Sequence, residues 1–144
     1  MCSKWDDDTE LRITTLEHCY VVLNRDQFFP GYCLVFTKAH VTELFHLDPP
    51  TRGAIMEEVN RVAAALNVVY QPTKINYELL GNMVPHMHWH LVPRFSSDPL
   101  WPRPIWSEPH AEKYLSAVET AATLDSIKGA LRKTGRQAQL FPVI

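Results

Sequence analysis

Cysteine is scarce in this chain of 144 residues, and the three that occur are scattered. Cys2, Cys19 and Cys33 have neither the even count of a disulfide framework nor the CxxC spacing of a zinc site. Internal repeats and low-complexity segments are missing as well, which argues against a repeat or fibrous protein. The composition, 46% apolar and 21% charged, is typical of one globular domain.

Strong charge of either sign and long apolar runs are also lacking. A net charge of −2 argues against the basic surface that non-specific nucleic-acid binding needs, but it leaves room for a small anionic ligand. No apolar stretch approaches the length of a membrane span, and the start "MCSKWDDDTE" lacks the apolar run of a signal peptide. We therefore expect a cytoplasmic protein that binds neither nucleic acid nor membrane.

The first two thirds of the chain carry strand patterns on both sides of a helix pattern. "LRITTLEHCYVVLN" predicts two short strands, and "GYCLVFT", which Pro30 precedes, predicts a third. Asp48 followed by Pro49 is a typical helix start. Apolar residues then recur at helical spacing and predict a helix over roughly 49–67: Ile55, Val59, Val62 and Leu66.

The remaining patterns complete a single domain over residues 1–144. "TKINYELL" and "HMHWHLV" predict a hairpin with its turn near 81–85. "DPLWPRPIWSEP" predicts a proline-rich loop, and a second helix is expected at about 117–133. We predict an α+β fold in which an antiparallel sheet of about five strands packs with one main helix and a C-terminal helix. Residues 1–10 are expected to be flexible, and residues 95–144 to form the loop and the C-terminal helix.

Three histidines stand at alternate positions in "PHMHWHLV". Alternate side chains of a strand share a face, so His86, His88 and His90 are expected to point one way and the apolar residues between them the other. Three of the chain's seven histidines on one strand face favour a functional site over an accident of composition.

A metal site is one interpretation of this row. Cα atoms two residues apart in a strand are about 6.7 Å apart, so those of His86 and His90 are separated by roughly 13 Å. A histidine reaches a zinc ion roughly 6 Å from its own Cα, so a straight strand supplies at most two of these ligands. The other histidines form no recognisable partner motif. We therefore predict no metal site and keep a metal-dependent hydrolase as an alternative.

Nucleophilic catalysis suits the row better. A neutral imidazole is a good nucleophile near pH 7 when one nitrogen is bare and the other donates a hydrogen bond. Neighbouring imidazoles can bind the oxygens of the electrophile and donate protons. Phosphorus is a fitting electrophile, because its attack by nitrogen gives a phosphoramidate that water can later hydrolyse.

Residues 12–95 resemble the histidine-triad family. "HMHWHLV" fits its pattern of three histidines alternating with apolar residues. "VVLNRDQFFPGYCLVFTKAHVTELFHL" is similar to its asparagine, Pro-Gly and strand segment, and "NYELLGNMVPHMHWHLVPR" to its final hairpin. The resemblance implies a nucleotide hydrolase or transferase that acts through a histidine-bound nucleotide. Among the branches of the family it is closest to the dinucleoside polyphosphate hydrolases.

The resemblance also implies roles for individual residues. His88, the middle histidine, is expected to be the nucleophile, while His86 and His90 orient it and bind the α-phosphate. Four further residues are expected near the substrate: Asn24 at the ribose, Asn76 and Asn82 at phosphate oxygens, and Arg94 at the polyphosphate. Structural roles also stay open for two of these residues, because Asn24 is a typical turn residue and Arg94 can be an exposed charge at the end of a strand.

Two positions depart from the family pattern. Tyr32 stands where many members have a histidine that supports the last triad histidine, and a phenol can still form a hydrogen bond there. Met83 stands where many have a serine or threonine, which removes a hydroxyl from the leaving-group side. Trp101 and Trp106 in the proline-rich loop suggest a lid, a dimer contact or a base-stacking patch.

We therefore expect a hydrolase that acts at the α-phosphate of dinucleoside polyphosphates or related nucleotide conjugates through a covalent histidine intermediate. No cofactor should be required, although Mg²⁺ can stimulate turnover by neutralising the substrate's charge. A homodimer is expected from the resemblance. A nucleotide-binding regulatory protein with little turnover remains a further alternative.

Overall fold

Five antiparallel strands form one sheet in the computed structural model, which describes residues 3–135. The strands are β1 (Arg12–Thr15), β2 (Cys19–Leu23), β3 (Cys33–Thr37), β4 (Lys74–Leu79) and β5 (His88–Arg94). They lie in the order β1-β2-β3-β5-β4, and every neighbouring pair is antiparallel. The predicted α+β class with about five strands is confirmed.

Helix α2 (Pro49–Tyr70) is the main helix and begins where the sequence predicts. The Asp48 carboxylate accepts a hydrogen bond from the Thr51 N–H at 3.2 Å, and the four apolar residues predicted to face the core are buried. The helix runs three residues beyond the predicted end at residue 67. It stops where Gln71 adopts a left-handed backbone, with φ of 47°, immediately before Pro72.

Helix α3 (Ala117–Thr134) ends one residue later than predicted. Ser116 and Glu119 form a capping box, in which each side chain accepts a hydrogen bond from the other's backbone N–H. The capping box satisfies two backbone donors in the first turn of the helix. Two short 3₁₀ turns, Thr9–Leu11 and Leu44–His46, complete the helical segments.

Part of the N-terminal segment, residues 1–10, which is predicted to be flexible, forms a helical turn that contacts the sheet. Helix α1 (Lys4–Asp7) is a single turn, and the Trp5 ring stacks on Tyr20 of β2 with ring centroids 4.5 Å apart. Leu11 is buried, so this segment is anchored by apolar contact at both ends. Residues 1–2 and 136–144, which belong to the predicted terminal segments, lie outside the described residues.

The sheet separates two apolar clusters. One face packs on α2 and α3 through residues such as Val21, Val35 and Leu91. The other face is covered by the segment that follows β5, whose Leu100 and Ile105 are buried in the second cluster. The proline-rich loop therefore lies across the sheet face opposite the long helices. No helix within residues 3–135 is long and apolar enough to cross a membrane.

Candidate active site

The triad histidines lie on the face covered by the proline-rich loop, but β5 begins at His88 instead of at His86 as predicted. The reason is the backbone before the strand. The N–H of His86 turns back to the Val84 carbonyl at 2.8 Å, and the N–H of Met87 reaches the Val41 carbonyl outside the sheet at 2.7 Å. The first histidine therefore sits in the turn that leads into the strand.

The ring of His86 is anchored at the end of β3. Its Nε2 lies 2.7 Å from the Thr37 carbonyl oxygen and 3.1 Å from the Thr37 hydroxyl. A carbonyl can only accept, so Nε2 carries the proton and donates it there. Burial lowers the pKa of His86, which favours the neutral ring. Sequence reasoning missed Thr37, whose role depends on the β3–β5 pairing.

One tautomer of His88 is selected by the main chain. Its Nδ1 lies 2.6 Å from the carbonyl oxygen of His86, an acceptor, so Nδ1 carries the hydrogen. In the neutral ring Nε2 is then the nitrogen with the free electron pair. The His90 ring stands at 65° to that of His88, with ring centroids 4.9 Å apart. The predicted nucleophile therefore has one bare nitrogen and a second imidazole beside it.

Tyr32 supports His90 by a hydrogen bond. The phenolic oxygen lies 2.5 Å from His90 Nδ1. Burial raises the pKa of Tyr32, so the phenol keeps its proton and donates it. Burial and the neighbouring His88 lower the pKa of His90 to about 4. At neutral pH His90 is therefore uncharged, with Nδ1 accepting from the phenol and Nε2–H left as a donor.

Glu78 and Trp106 form a second contact beside His90. Glu78 of β4 is the cross-strand partner of His90. The Trp106 indole N–H donates to the Glu78 carboxylate at 2.5 Å, and the indole stands nearly perpendicular to the His90 ring with centroids 5.3 Å apart. The sequence singled out Trp106 but gave Glu78 no role; the register of the hairpin is the signal that could have found it.

Arg94 is buried, with 1% of its surface exposed, and is not the exposed strand-end charge that the sequence left open. Its guanidinium makes a two-point contact with the Asp98 carboxylate, through Nε at 2.6 Å and Nη2 at 3.0 Å. Nη1 donates to the Asn76 side-chain oxygen at 3.0 Å and to the Arg103 carbonyl at 2.9 Å. These contacts favour a role in fastening the loop after β5 and leave few donors for a phosphate.

The other two predicted substrate residues lie apart from the triad's hydrogen bonds. Asn24 follows β2, and its side-chain amide donates to the Asp26 carbonyl at 3.0 Å, which matches the turn role left open above. Asn82 is exposed in the loop before His86. Among the described residues no hydrogen bond links either asparagine to a triad ring. Their roles at the substrate stay predictions.

The histidine cluster does not form a metal-binding group in the part of the chain described. Within residues 3–135 no three histidine, cysteine or carboxylate side chains are arranged to hold a metal ion. His86 Nε2 and His88 Nδ1 both donate to carbonyl oxygens, so the proton-bearing nitrogens are committed to the protein. Metal independence stays a prediction that metal analysis must test.

Comparisons with known proteins agree with this geometry. The family model described as HIT domain matches residues 7–97, and the chain belongs to that family, the histidine-triad proteins. The chain is 31% identical over 87 residues to the nitrilase and fragile histidine triad fusion protein of Drosophila melanogaster and 26% identical over 84 residues to Protein hit of Bacillus subtilis. These matches cover 57% and 55% of this chain, and 19% and 58% of the relatives.

A solved structure extends the likeness over most of the fold. A histidine triad protein of Sinorhizobium meliloti is 30% identical, with a TM-score of 0.77 over 83% of this chain and 88% of that one. The resemblance noted for residues 12–95 is therefore confirmed at the level of the family. The likeness shows the family but does not identify a substrate.

Proposed function

We propose that the protein hydrolyses dinucleoside polyphosphates or related nucleotide conjugates at the α-phosphate through a covalent nucleotide on His88. The observation that carries the proposal is the tautomer of His88. Its Nδ1–H is held by the His86 carbonyl, so Nε2 has a free electron pair while His90 beside it is a neutral N–H donor. Membership of a family of nucleotide hydrolases and transferases supports the same chemistry.

The reaction has two displacement steps. The Nε2 electron pair of His88 forms a bond to the α-phosphorus, and the bond from phosphorus to the leaving-group oxygen breaks. The leaving phosphate takes that electron pair. Water then attacks the same phosphorus and gives up a proton to solvent, while the N–P bond breaks and its electron pair returns to Nε2 as the nucleoside monophosphate departs. The first step leaves the nucleotide on a ring that keeps its Nδ1–H and carries positive charge, and the second step restores the neutral imidazole for the next turnover.

The neighbours of His88 differ in what they supply. His90 Nε2–H is available for a non-bridging oxygen of the α-phosphate, where negative charge increases in the transition state. His86 was predicted to bind the same phosphate, but its Nε2–H is donated to Thr37. We therefore assign His86 mainly to orienting His88 through its carbonyl group.

Other parts of the proposal rest on the sequence patterns and on the family resemblance. No cofactor is required in it, Mg²⁺ acts only by neutralising the polyphosphate, and the protein works in the cytoplasm as a homodimer. The non-enzyme alternative is a nucleotide-binding regulatory protein, which would bind the same substrates without turning them over.

Trapping the intermediate tests the proposal. Intact-mass analysis of the enzyme, quenched rapidly at a pH that preserves phosphoramidates, should reveal a covalent nucleotide on the wild type. His88→Ala should lose it and several orders of magnitude in rate while still binding nucleotide, and His88→Gly should regain slight activity with imidazole. The exposed His46→Ala is the matched control and should behave as wild type. Near-normal turnover by His88→Ala, or a nucleotide on another residue, would contradict the mechanism.

A further inference from the structure

Trp106 differs from the other large apolar residues of its loop, Leu100, Trp101 and Ile105, because more than half of its surface is exposed. Its neighbour Ile105 is buried in the cluster on the triad face, whereas 55% of the Trp106 surface is exposed. An aromatic ring that is exposed beside a catalytic site is available to contact a bound ligand.

The orientation of the indole is set by two neighbours. Its N–H is held by the Glu78 carboxylate, and its ring meets that of His90 nearly at a right angle. Because β4 pairs with β5 so that Glu78 lies opposite His90, the tryptophan is tied to the same part of the sheet as the last triad histidine. An aromatic ring held in one orientation loses little conformational freedom when a planar ligand stacks on it.

The position of the indole relative to the triad strand indicates which part of the substrate it meets. In the sheet order β1-β2-β3-β5-β4, Glu78 belongs to the strand on one side of β5. Asn24, the predicted ribose contact of the transferred nucleotide, follows β2 on the other side. Trp106 and Asn24 therefore lie on opposite sides of the triad strand, so a contact with the indole falls on the side away from the predicted ribose site.

We propose that Trp106 is a specificity-determining residue that stacks on a planar aromatic ring carried by the leaving group, such as the base of a leaving nucleotide. This rests on the proposed function, because a leaving group is defined only by attack at the α-phosphate. Base–aromatic stacking is sequence-tolerant, since every base has a π-face, so the residue selects for a ring and not for one particular base.

Two substrates that differ in whether the leaving group carries a nucleoside give the test. Diadenosine triphosphate and the γ-methyl ester of ATP have the same transferred adenylyl group, phosphate-chain length and charge, but only the first has a base on its leaving group. The first has two equivalent reacting ends, so its rate is counted per end. Wild type should prefer it in kcat/KM by about 5- to 100-fold, the range expected for one stacked base.

Three variants then locate the preference. Trp106→Leu should remove most of this preference by slowing the dinucleotide far more than the methyl ester, and Trp106→Phe should keep it. Phe45→Leu, which replaces an exposed aromatic in the 3₁₀ turn Leu44–His46, is the matched control and should keep the wild-type ratio. Equal losses on both substrates, or no change on either, would overturn the proposal.

Binding without turnover separates this proposal from the proposed function. In the His88→Ala background, calorimetric titration should give tighter binding of diadenosine triphosphate than of the methyl ester, and adding Trp106→Leu should equalise the two. If the wild type turns over neither substrate, the proposed function is refuted. The titration then still tests whether Trp106 contributes to binding of the second base. Equal affinities before the tryptophan is changed would refute that role.

Discussion

At the scale of single residues, the chemistry of the site depends on hydrogen bonds that hold neutral imidazoles in defined tautomers. Two of them are donated by imidazoles to the carbonyl oxygens of Thr37 and His86. The third is donated by the Tyr32 phenol to His90. The alternation of histidines predicts that three rings share a site. It cannot predict which nitrogen of each ring carries the proton, because the partners come from β3, from the residue before β3 and from the turn before β5.

Tyr32→Phe isolates the contribution of the phenol. The change removes the donor to His90 Nδ1 and leaves that nitrogen buried without its partner, so the tautomer with hydrogen on Nε2 is no longer enforced. We expect kcat to fall by about 5- to 100-fold, the range for a lost buried hydrogen bond, with KM changed less. Steady-state kinetics with diadenosine triphosphate as the substrate measures both constants.

Restoring a donor at residue 32 provides the control. Tyr32→His, which returns the residue common in the family, should keep more activity than Tyr32→Phe because an imidazole N–H can donate to the same nitrogen. If the Phe and His variants lose activity equally, the activity depends on the ring volume at residue 32 and not on the hydrogen bond to His90.

At the scale of secondary-structure elements, the segment after β5 is fastened to the sheet by a buried ion pair. Arg94 contacts Asp98, Asn76 and the Arg103 carbonyl, so one side chain joins the triad strand, its neighbour β4 and the proline-rich loop. Although burial alone would raise it, the hydrogen bonds from Arg94 hold the pKa of Asp98 below its usual value. This loop carries Trp106 to His90.

Asp98→Ala should destabilise the fold by about 3–5 kcal/mol, because it leaves the guanidinium buried without its counter-charge. Chemical denaturation measures the change, and the exposed Asp125→Ala is the control, expected within about 0.5 kcal/mol of wild type. The double variant Arg94→Met with Asp98→Ala should recover part of the loss. A single variant as stable as wild type would mean that the pair fastens nothing.

The elements themselves follow from the sequence more closely than their contacts do. Period-two runs and the Asp48-Pro49 start predict the strands and α2 because both depend on neighbours in the chain. The start of β5 at His88 depends instead on a backbone partner elsewhere, the Val41 carbonyl, whereas the end of α2 at Tyr70 is set locally by Gln71 and Pro72. For the same reason the sequence singles out Arg94 but does not indicate that Asp98 is its partner.

At the scale of the whole molecule, the neutral histidines of the buried site couple its protonation to folding. His90 has a pKa near 4 in the fold, set by burial and by His88, and its ordinary value in an unfolded chain is about 6.5. Burial shifts the pKa of His86 in the same direction. Between these pH values the unfolded chain binds more protons than the folded one, so the free energy of unfolding rises with pH.

We therefore predict that stability is fullest above about pH 6.5 and falls as the pH approaches 4, with His90 contributing at most on the order of 3 kcal/mol. This loss of stability between about pH 6.5 and 4 is distinct from the loss caused by protonation of Asp26 and Asp98. The pKa values of these two carboxyl groups are lowered from 3.8, so their contribution to stability disappears only at lower pH. Urea denaturation at successive pH values measures the slope. His90→Gln, which cannot titrate, should flatten it, and a variant with the wild-type slope would show that the proton uptake belongs to other groups.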